Sequence, residues 1–162
     1  MPALLFVCTA NQYRSPIAAA CFRKKLSDQG LEGWTVQSAG TWVEPGLPAP
    51  ALTKQAVRRL GLSLGRHTTR EVGADILAGS DLILVMEVGH KEALLNEFPQ
   101  TREKIYLLTE MAGRPPYDIP DPFINPDSHQ EIARELCNLV EQGFSRIISL
   151  AQHLHKQFHE SA

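Results

Sequence analysis

Near the N-terminus an apolar run, Leu4-Leu5-Phe6-Val7, ends on Cys8, and five residues later Arg14 is followed by Ser15 and Pro16. A thiol and a guanidinium on one short loop could serve as a nucleophile and an anion clamp. The apolar run predicts a strand buried on both faces, and Ser15 as N-cap with Pro16 at the first helical position predicts a helix. The loop would then join a strand's carboxyl end to a helix's amino end. Unpaired N–H groups and the helix dipole at that point favour a bound dianion, and favour the thiolate of Cys8 over its thiol. The spacing alone is weak evidence. With three Cys and ten Arg in 162 residues, a chance Cys-x5-Arg turns up in roughly one chain in five. The strand-to-helix context and the Ser-Pro pair make it specific.

Other chemistries fit less well. A nucleotide-binding loop would need a Gly-Lys pair that this segment lacks. Cys8, Cys21 and Cys137 form no close pair of the kind zinc sites use. His155 and His159 lie one helical turn apart, but no acidic or sulfur ligand accompanies them closely in sequence, so a histidine-rich helix end is the expectation there.

The loop must be held by neighbouring elements, which the hydrophobic period places along the chain. Strands are predicted over Leu4–Val7, Thr35–Ser38, Leu82–Met86 and Ile105–Leu108. Helices are predicted over Pro16–Ser27, Pro50–Leu60, Arg70–Leu77, His90–Glu97 and from about Ser128 to Gln157. In the last, Ile132, Leu136, Leu139, Val140, Phe144, Ile147, Ala151, Leu154 and Phe158 form one apolar stripe. Strands alternating with helices imply an α/β fold: a four-stranded parallel sheet with helices on both faces, in a three-layer flavodoxin-like arrangement that binds ligands beyond the strands' carboxyl ends. Two Gly/Pro-rich segments, 40–48 and 113–126, should loop over that edge. The second carries Asp118-Ile119-Pro120-Asp121-Pro122-Phe123.

Composition sets the frame. The 43% hydrophobic and 21% charged residues suit one globular domain over residues 1–162. A net charge of −2 gives no general attraction to nucleic acid or anionic lipid. The local cluster of Arg58, Arg59, Arg66, His67 and Arg70 reads as a solvated face. No run is long enough to span a bilayer and no basic leader precedes it, so a cytoplasmic location without membrane contact is expected. Three widely spaced cysteines suggest free thiols in a reducing compartment.

The strand-Cys-x5-Arg-Ser-Pro-helix and the late Asp-Pro-aromatic together resemble the low-molecular-weight protein tyrosine phosphatase family. Ser38-Ala39-Gly40-Thr41 with Trp42, Gly65-Arg66-His67 and Asp81-Leu82-Ile83-Leu84-Val85-Met86-Glu87 agree with it. The resemblance implies a cofactor-free, metal-free phosphomonoesterase that acts on phosphorylated protein through a phosphocysteine and accepts phosphate or vanadate-like anions. Cys8 would be the nucleophile, Arg14 the phosphate fork, and Asp121 the general acid, with Asp118 a turn or hydrogen-bonding residue nearby. Backbone amides of Thr9, Ala10, Asn11, Gln12 and Tyr13 would complete the cradle, and Ser15 would donate to the Cys8 sulfur. Asn11 would hold the loop's backbone by side-chain hydrogen bonds, and by resemblance Ser38 and His67 would brace it. Trp42, Tyr117 and Phe123 would flank the opening. The chain departs from the family at Ala10, where glycine is common, at Tyr13, where a second cysteine is frequent, and at Phe123, where tyrosine is. Ala10 would be strained if its φ were positive. Relatives of the family cleave protein phosphoarginine, which is an alternative reading. A phospho-residue binding module without turnover is another; it would be expected to have lost Cys8, Arg14 or Asp121. An arsenate reductase would need closely spaced downstream cysteines that Cys21 and Cys137 do not supply.

Overall fold

The computed structural model describes residues 1–160 of the chain. Four strands form one parallel sheet: β1 (Ala3–Cys8), β2 (Thr35–Gly40), β3 (Leu82–Val85) and β4 (Ile105–Leu107), in the order β2-β1-β3-β4. Between them run α1 (Arg14–Asp28), α2 (Ala51–Arg59), α3 (Ala74–Ala78) and α4 (Val88–Glu97). A one-turn α5 (Leu108–Met111) and the long α6 (His129–His159) follow the last strand, with 3₁₀ turns at Pro99–Lys104 and Pro126–Ser128. The strand order reverses between β1 and β3. In open α/β sheets the crevice at such a reversal is where ligands bind.

The pleat divides the core in two. Leu4, Phe6 and Cys8 of β1, with Leu82 and Leu84 of β3, face α1, α2, α5 and α6. Leu5, Val7, Ile83, Val85, Ile105 and Leu107 face the other side, where Leu77 of α3 and Leu94 of α4 cover them. The parallel strands therefore read as continuous apolar runs, because both faces are buried. On α6 the predicted stripe is buried from Ile132 to Leu154, and only Phe158 at its end is exposed. Each such side chain contributes about 1.5–3 kcal/mol by leaving water, which holds a 31-residue helix against the sheet.

Three expectations about the frame are corrected. The third helix spans only Ala74–Ala78, not Arg70–Leu77, because Arg70 and Glu71 run extended to serve Gly40: Gly40 N–H donates to Arg70 O, and Val72 N–H donates to Gly40 O. The first helix starts at Arg14, so Ser15 lies in its first turn and is not the N-cap. The cysteines are not all free. Cys21 on α1 and Cys137 on α6 form a disulfide, with Cα atoms 5.5 Å apart, and Cys8 is the free thiol. The packing of α1 on α6 brings two residues 116 positions apart into bridging range. No helix among the described residues is long and apolar enough to cross a membrane.

Candidate active site

Cys8 is the last residue of β1, and its loop closes at once into α1. Among the described residues, none of the Thr9–Tyr13 amides donates to a backbone or side-chain acceptor. Five N–H groups of one turn beside a helix N-terminus are thus left for an anion to satisfy. Ser15, buried, places Oγ 3.0 Å from Cys8 Sγ. A hydroxyl beside the sulfur explains why the serine is not spent on capping the helix.

Asn11 shapes the turn. Its φ of 58° is the sole positive value at a non-glycine residue among those described, and asparagine bears the left-handed conformation better than most residues. Its amide nitrogen donates to Ser15 Oγ at 2.8 Å and Ser38 Oγ at 3.0 Å, and its carbonyl oxygen accepts the Arg70 N–H at 2.9 Å. His67 Nε2 lies 2.9 Å from the Asn11 backbone oxygen. Because that oxygen only accepts, the ring carries its proton on Nε2. Burial, reinforced by Arg23 and Arg70, lowers the His67 pKa, against the opposing effect of the Asn11 hydrogen bond. Ala10 keeps a negative φ, so its Cβ costs no left-handed strain. Gly40 has a different constraint. A Cβ there would collide with the Thr9 carbonyl and approach the Val43 side chain to 2.5 Å, just where Thr41 and Trp42 donate to Cys8 O and Thr9 O.

Arg14 is buried and points across the sheet edge. Its Nη1 donates to Glu87 Oε2 at 2.6 Å and to the Ile119 carbonyl at 2.8 Å, and its Nη2 donates to Thr9 Oγ1 at 3.3 Å. Asp121 Oδ2 lies 3.9 Å from the same Nη2, while Asp121 Oδ1 accepts the Phe123 N–H. Asp118 accepts the Val88 N–H at 2.8 Å and so holds the start of α4. Glu87 and His90 carry no role in the sequence reading. His90 accepts the Glu87 N–H on Nδ1 and therefore donates from Nε2 to Thr9 Oγ1, 2.8 Å away. Its pKa falls to about 4, through burial first and Arg14 second, with Glu87, Asp118 and Asp121 opposing. The ring is neutral at physiological pH. The available signal was Glu87-x2-His90 directly after a strand, the spacing of a capping pair. Thr53 is likewise an added support, its hydroxyl donating to Gln12 O at 2.5 Å.

The predicted aromatic rim is only partly brought together. Phe123 is half-exposed and packs edge-on against Tyr13, with ring centroids 6.1 Å apart. Trp42 is 83% exposed. Tyr117 does not join the rim as a free aromatic: its hydroxyl donates to Glu135 of α6 at 2.6 Å and meets Arg114. Tyr13 contributes its amide to the loop, but its side chain is buried against His129, so the ring belongs to the core and not to the phosphate cradle. A cleft of about 1070 Å³ lies elsewhere, along Arg23, Ser38, Arg66 and His67. Its lining shares Ser38 and His67 with the Asn11 brace and does not include Cys8.

The sequence model of the low molecular weight phosphotyrosine protein phosphatase family matches residues 3–160. A protein-arginine-phosphatase of Geobacillus stearothermophilus is 31% identical over 140 residues, 86% of this chain and 91% of that one. The human low molecular weight phosphotyrosine protein phosphatase is 34% identical over 139 residues, 83% and 87% of the two chains. Among solved structures, the arginine phosphatase YwlE with a phosphorylated active-site serine superimposes with a TM-score of 0.84 at 27% identity, covering 94% of this chain and 99% of its own.

Proposed function

Since the chain belongs to the low molecular weight phosphotyrosine protein phosphatase family, we propose that it hydrolyses protein phosphotyrosine, with Cys8 as nucleophile, Arg14 and the Thr9–Tyr13 amides as phosphate cradle and Asp121 as proton donor. The reading rests on one juxtaposition: a thiol 3.0 Å from a buried hydroxyl at the foot of a turn whose amides have no acceptor among the described residues. In the first step the Cys8 thiolate attacks phosphorus. The S–P bond forms, the P–O bond to the phenol breaks, and the Asp121 carboxyl gives its proton to the departing oxygen. In the second, water attacks the phosphocysteine, Asp121 takes the proton, and the thiolate leaves with a hydrogen bond from Ser15.

Arg14 enters this scheme pre-positioned. Glu87 and Ile119 O engage Nη1, so Nε–H and the remaining Nη2–H stay for two phosphoryl oxygens, a planar match that lysine could not make. Thr9 Oγ1 accepts from both Arg14 and His90, which leaves its own proton for a further acceptor. The phosphoryl charge meets preorganised donors, the arrangement that lowers phosphoryl-transfer barriers most.

A phosphotyrosine preference is supported by half-exposed Phe123 and exposed Trp42, which offer apolar walls to a phenyl ring. A protein phosphoarginine substrate is the second reading, favoured by the Geobacillus relative and by Gln12, a partly buried polar side chain on the loop. Either is a phosphorylated protein. Values of kcat/KM for matched peptides carrying phosphotyrosine, phosphoserine and phosphoarginine decide it. Phosphotyrosine is expected to lead, and a phosphoarginine value tenfold higher, about 1.4 kcal/mol in transition-state binding, would reverse the order while leaving the Cys8 chemistry in place.

A further inference from the structure

At the opposite end of the sheet, we propose that Asp81, His155 and His159 form a binding site for one divalent transition-metal ion, Zn²⁺ by the character of its donors. Asp81 immediately precedes β3, and the two histidines occupy successive turns on the last part of α6. His155 Nδ1 lies 3.0 Å from Asp81 Oδ2, and His159 Nε2 lies 3.0 Å from Asp81 Oδ1. The imidazole centroids are 4.4 Å apart, and one donor atom from each of the three residues falls within 4.8 Å of the others. The acidic partner missing from the sequence around the histidines is thus supplied 74 residues upstream of His155, where the helix end meets the start of β3.

Geometry and donor type agree. Two imidazoles at i and i+4 with one carboxylate are a three-ligand set that Zn²⁺ completes with water. Metal–ligand bonds of about 2.0–2.1 Å in a tetrahedron put ligand atoms about 3.3 Å apart, close to the two nitrogen–oxygen distances here. Small rotations of half-exposed His155 and exposed His159 suffice to close the rest. Asp81 is already oriented: its side chain is 4% exposed, and Oδ2 accepts the Ala3 N–H at 2.8 Å. Such an outer hydrogen bond is what fixes a ligating carboxylate. A buried carboxylate needs countercharge; Lys104, which feels the Asp81 charge, is engaged with Ser80 O at 2.9 Å, and the Met1 ammonium lies 3.4 Å from His155 Nε2. The protons now linking the rings to Asp81 would move to the other ring nitrogen or to solvent as the metal takes the lone pairs. The ion would tie the end of α6 to the start of β1 and β3. Five residues of strand, about 16 Å at ~3.3 Å per residue, separate this point from Cys8, so the site would be a staple and not part of the hydrolytic centre.

Titration of the chelator-stripped protein with Co²⁺ at about pH 7.5, read by visible absorption and by thermal unfolding, tests the site. One equivalent should bind with d–d absorption and no thiolate-to-cobalt charge-transfer band, and should raise the Tm. His159→Gln, at an exposed position, should weaken binding at least tenfold, and the His155→Gln/His159→Gln pair should abolish the Tm rise. Absence of saturable binding, equal binding by the variants, or a charge-transfer band assigning the metal to Cys8 would each overturn the proposal.

Discussion

Side chains at the sheet's carboxyl edge differ sharply in how replaceable they are. Cys8→Ser keeps the loop, its amides and Arg14, and exchanges only the sulfur, so turnover should fall below detection while inorganic phosphate still binds. Activity persisting in that variant would remove Cys8 from the chemistry. Asp121 and Asp118 make a paired comparison, since one lies 3.9 Å from Arg14 and the other is tied to the Val88 N–H. Asp121→Asn should lower kcat by about 10²–10⁴-fold on substrates with poor leaving groups, whereas Asp118→Asn should do much less. Reversed magnitudes would transfer the acid role to Asp118. At this scale the sequence was informative where a residue's neighbours were close along the chain: Cys8 and Ser15 flank the loop that holds Asn11, and their contacts follow from its length. It misread Ser15 as a helix cap because the hydroxyl's other suitors, Cys8 Sγ and the Asn11 amide, are fixed by the turn and not by helix preference.

Among elements, the start of α4 bears most directly on the phosphate loop. Glu87 secures Arg14, and His90 secures both the Glu87 backbone and Thr9, so the helix start and the loop are one hydrogen-bonded unit. His90 is 5% exposed, and its pKa in the folded protein, about 4, lies below the ordinary value of 6.5. A histidine shifted downward favours the folded state while neutral. Its contribution is therefore complete above about pH 6.5 and is lost as pH falls toward 4, because the unfolded chain binds the proton first. At about pH 5 the loss is of the order of 2 kcal/mol. Denaturant unfolding of the wild type and of His90→Gln at about pH 7.5 and pH 5 should show the smaller acid loss in the variant. Equal losses would mean that His90 does not titrate with folding. The four strands, their parallel arrangement and most of the helices were readable from hydrophobic period, since four apolar runs separated by helical patterns leave few topologies. Glu87 and His90 were not given roles because nothing along the chain says that a helix starting at residue 88 will face residue 9 and residue 14. Tyr117 shows the complementary limit: its loop is legible along the chain, but that its hydroxyl donates to Glu135 on a later helix is not.

For the whole molecule, the least legible features are those joining distant parts of the chain, and the disulfide is the clearest. Cys21 lies on α1, seven residues after Arg14, and Cys137 lies on α6. Together they bridge the helix that carries the phosphate loop to the helix that covers most of one sheet face. Their spacing of 116 residues carries no local signal, and an odd number of cysteines pointed instead to free thiols. A cross-link closing so long a loop restricts the unfolded chain strongly and is worth about 2–4 kcal/mol. For a domain of this size that corresponds to a Tm difference of about 5–15 °C. Thermal unfolding with and without a thiol reductant should show this difference in the wild type and none in Cys137→Ser, whose Tm should match that of the reduced wild type. The pairing also governs oxidation of Cys8. With Cys21 and Cys137 joined to each other, and Tyr13 in place of a loop cysteine, a Cys8 sulfenic acid has no thiol of its own chain to condense with. Peroxide-treated protein should then regain less activity under thiol reductants than a Tyr13→Cys variant, and peptide mass spectra after mild oxidation should contain the Cys21–Cys137 link. A Cys8–Cys21 or Cys8–Cys137 link in its place would show that α1 and α6 exchange their bridge with the active-site sulfur, and would make the disulfide a redox relay instead of a staple.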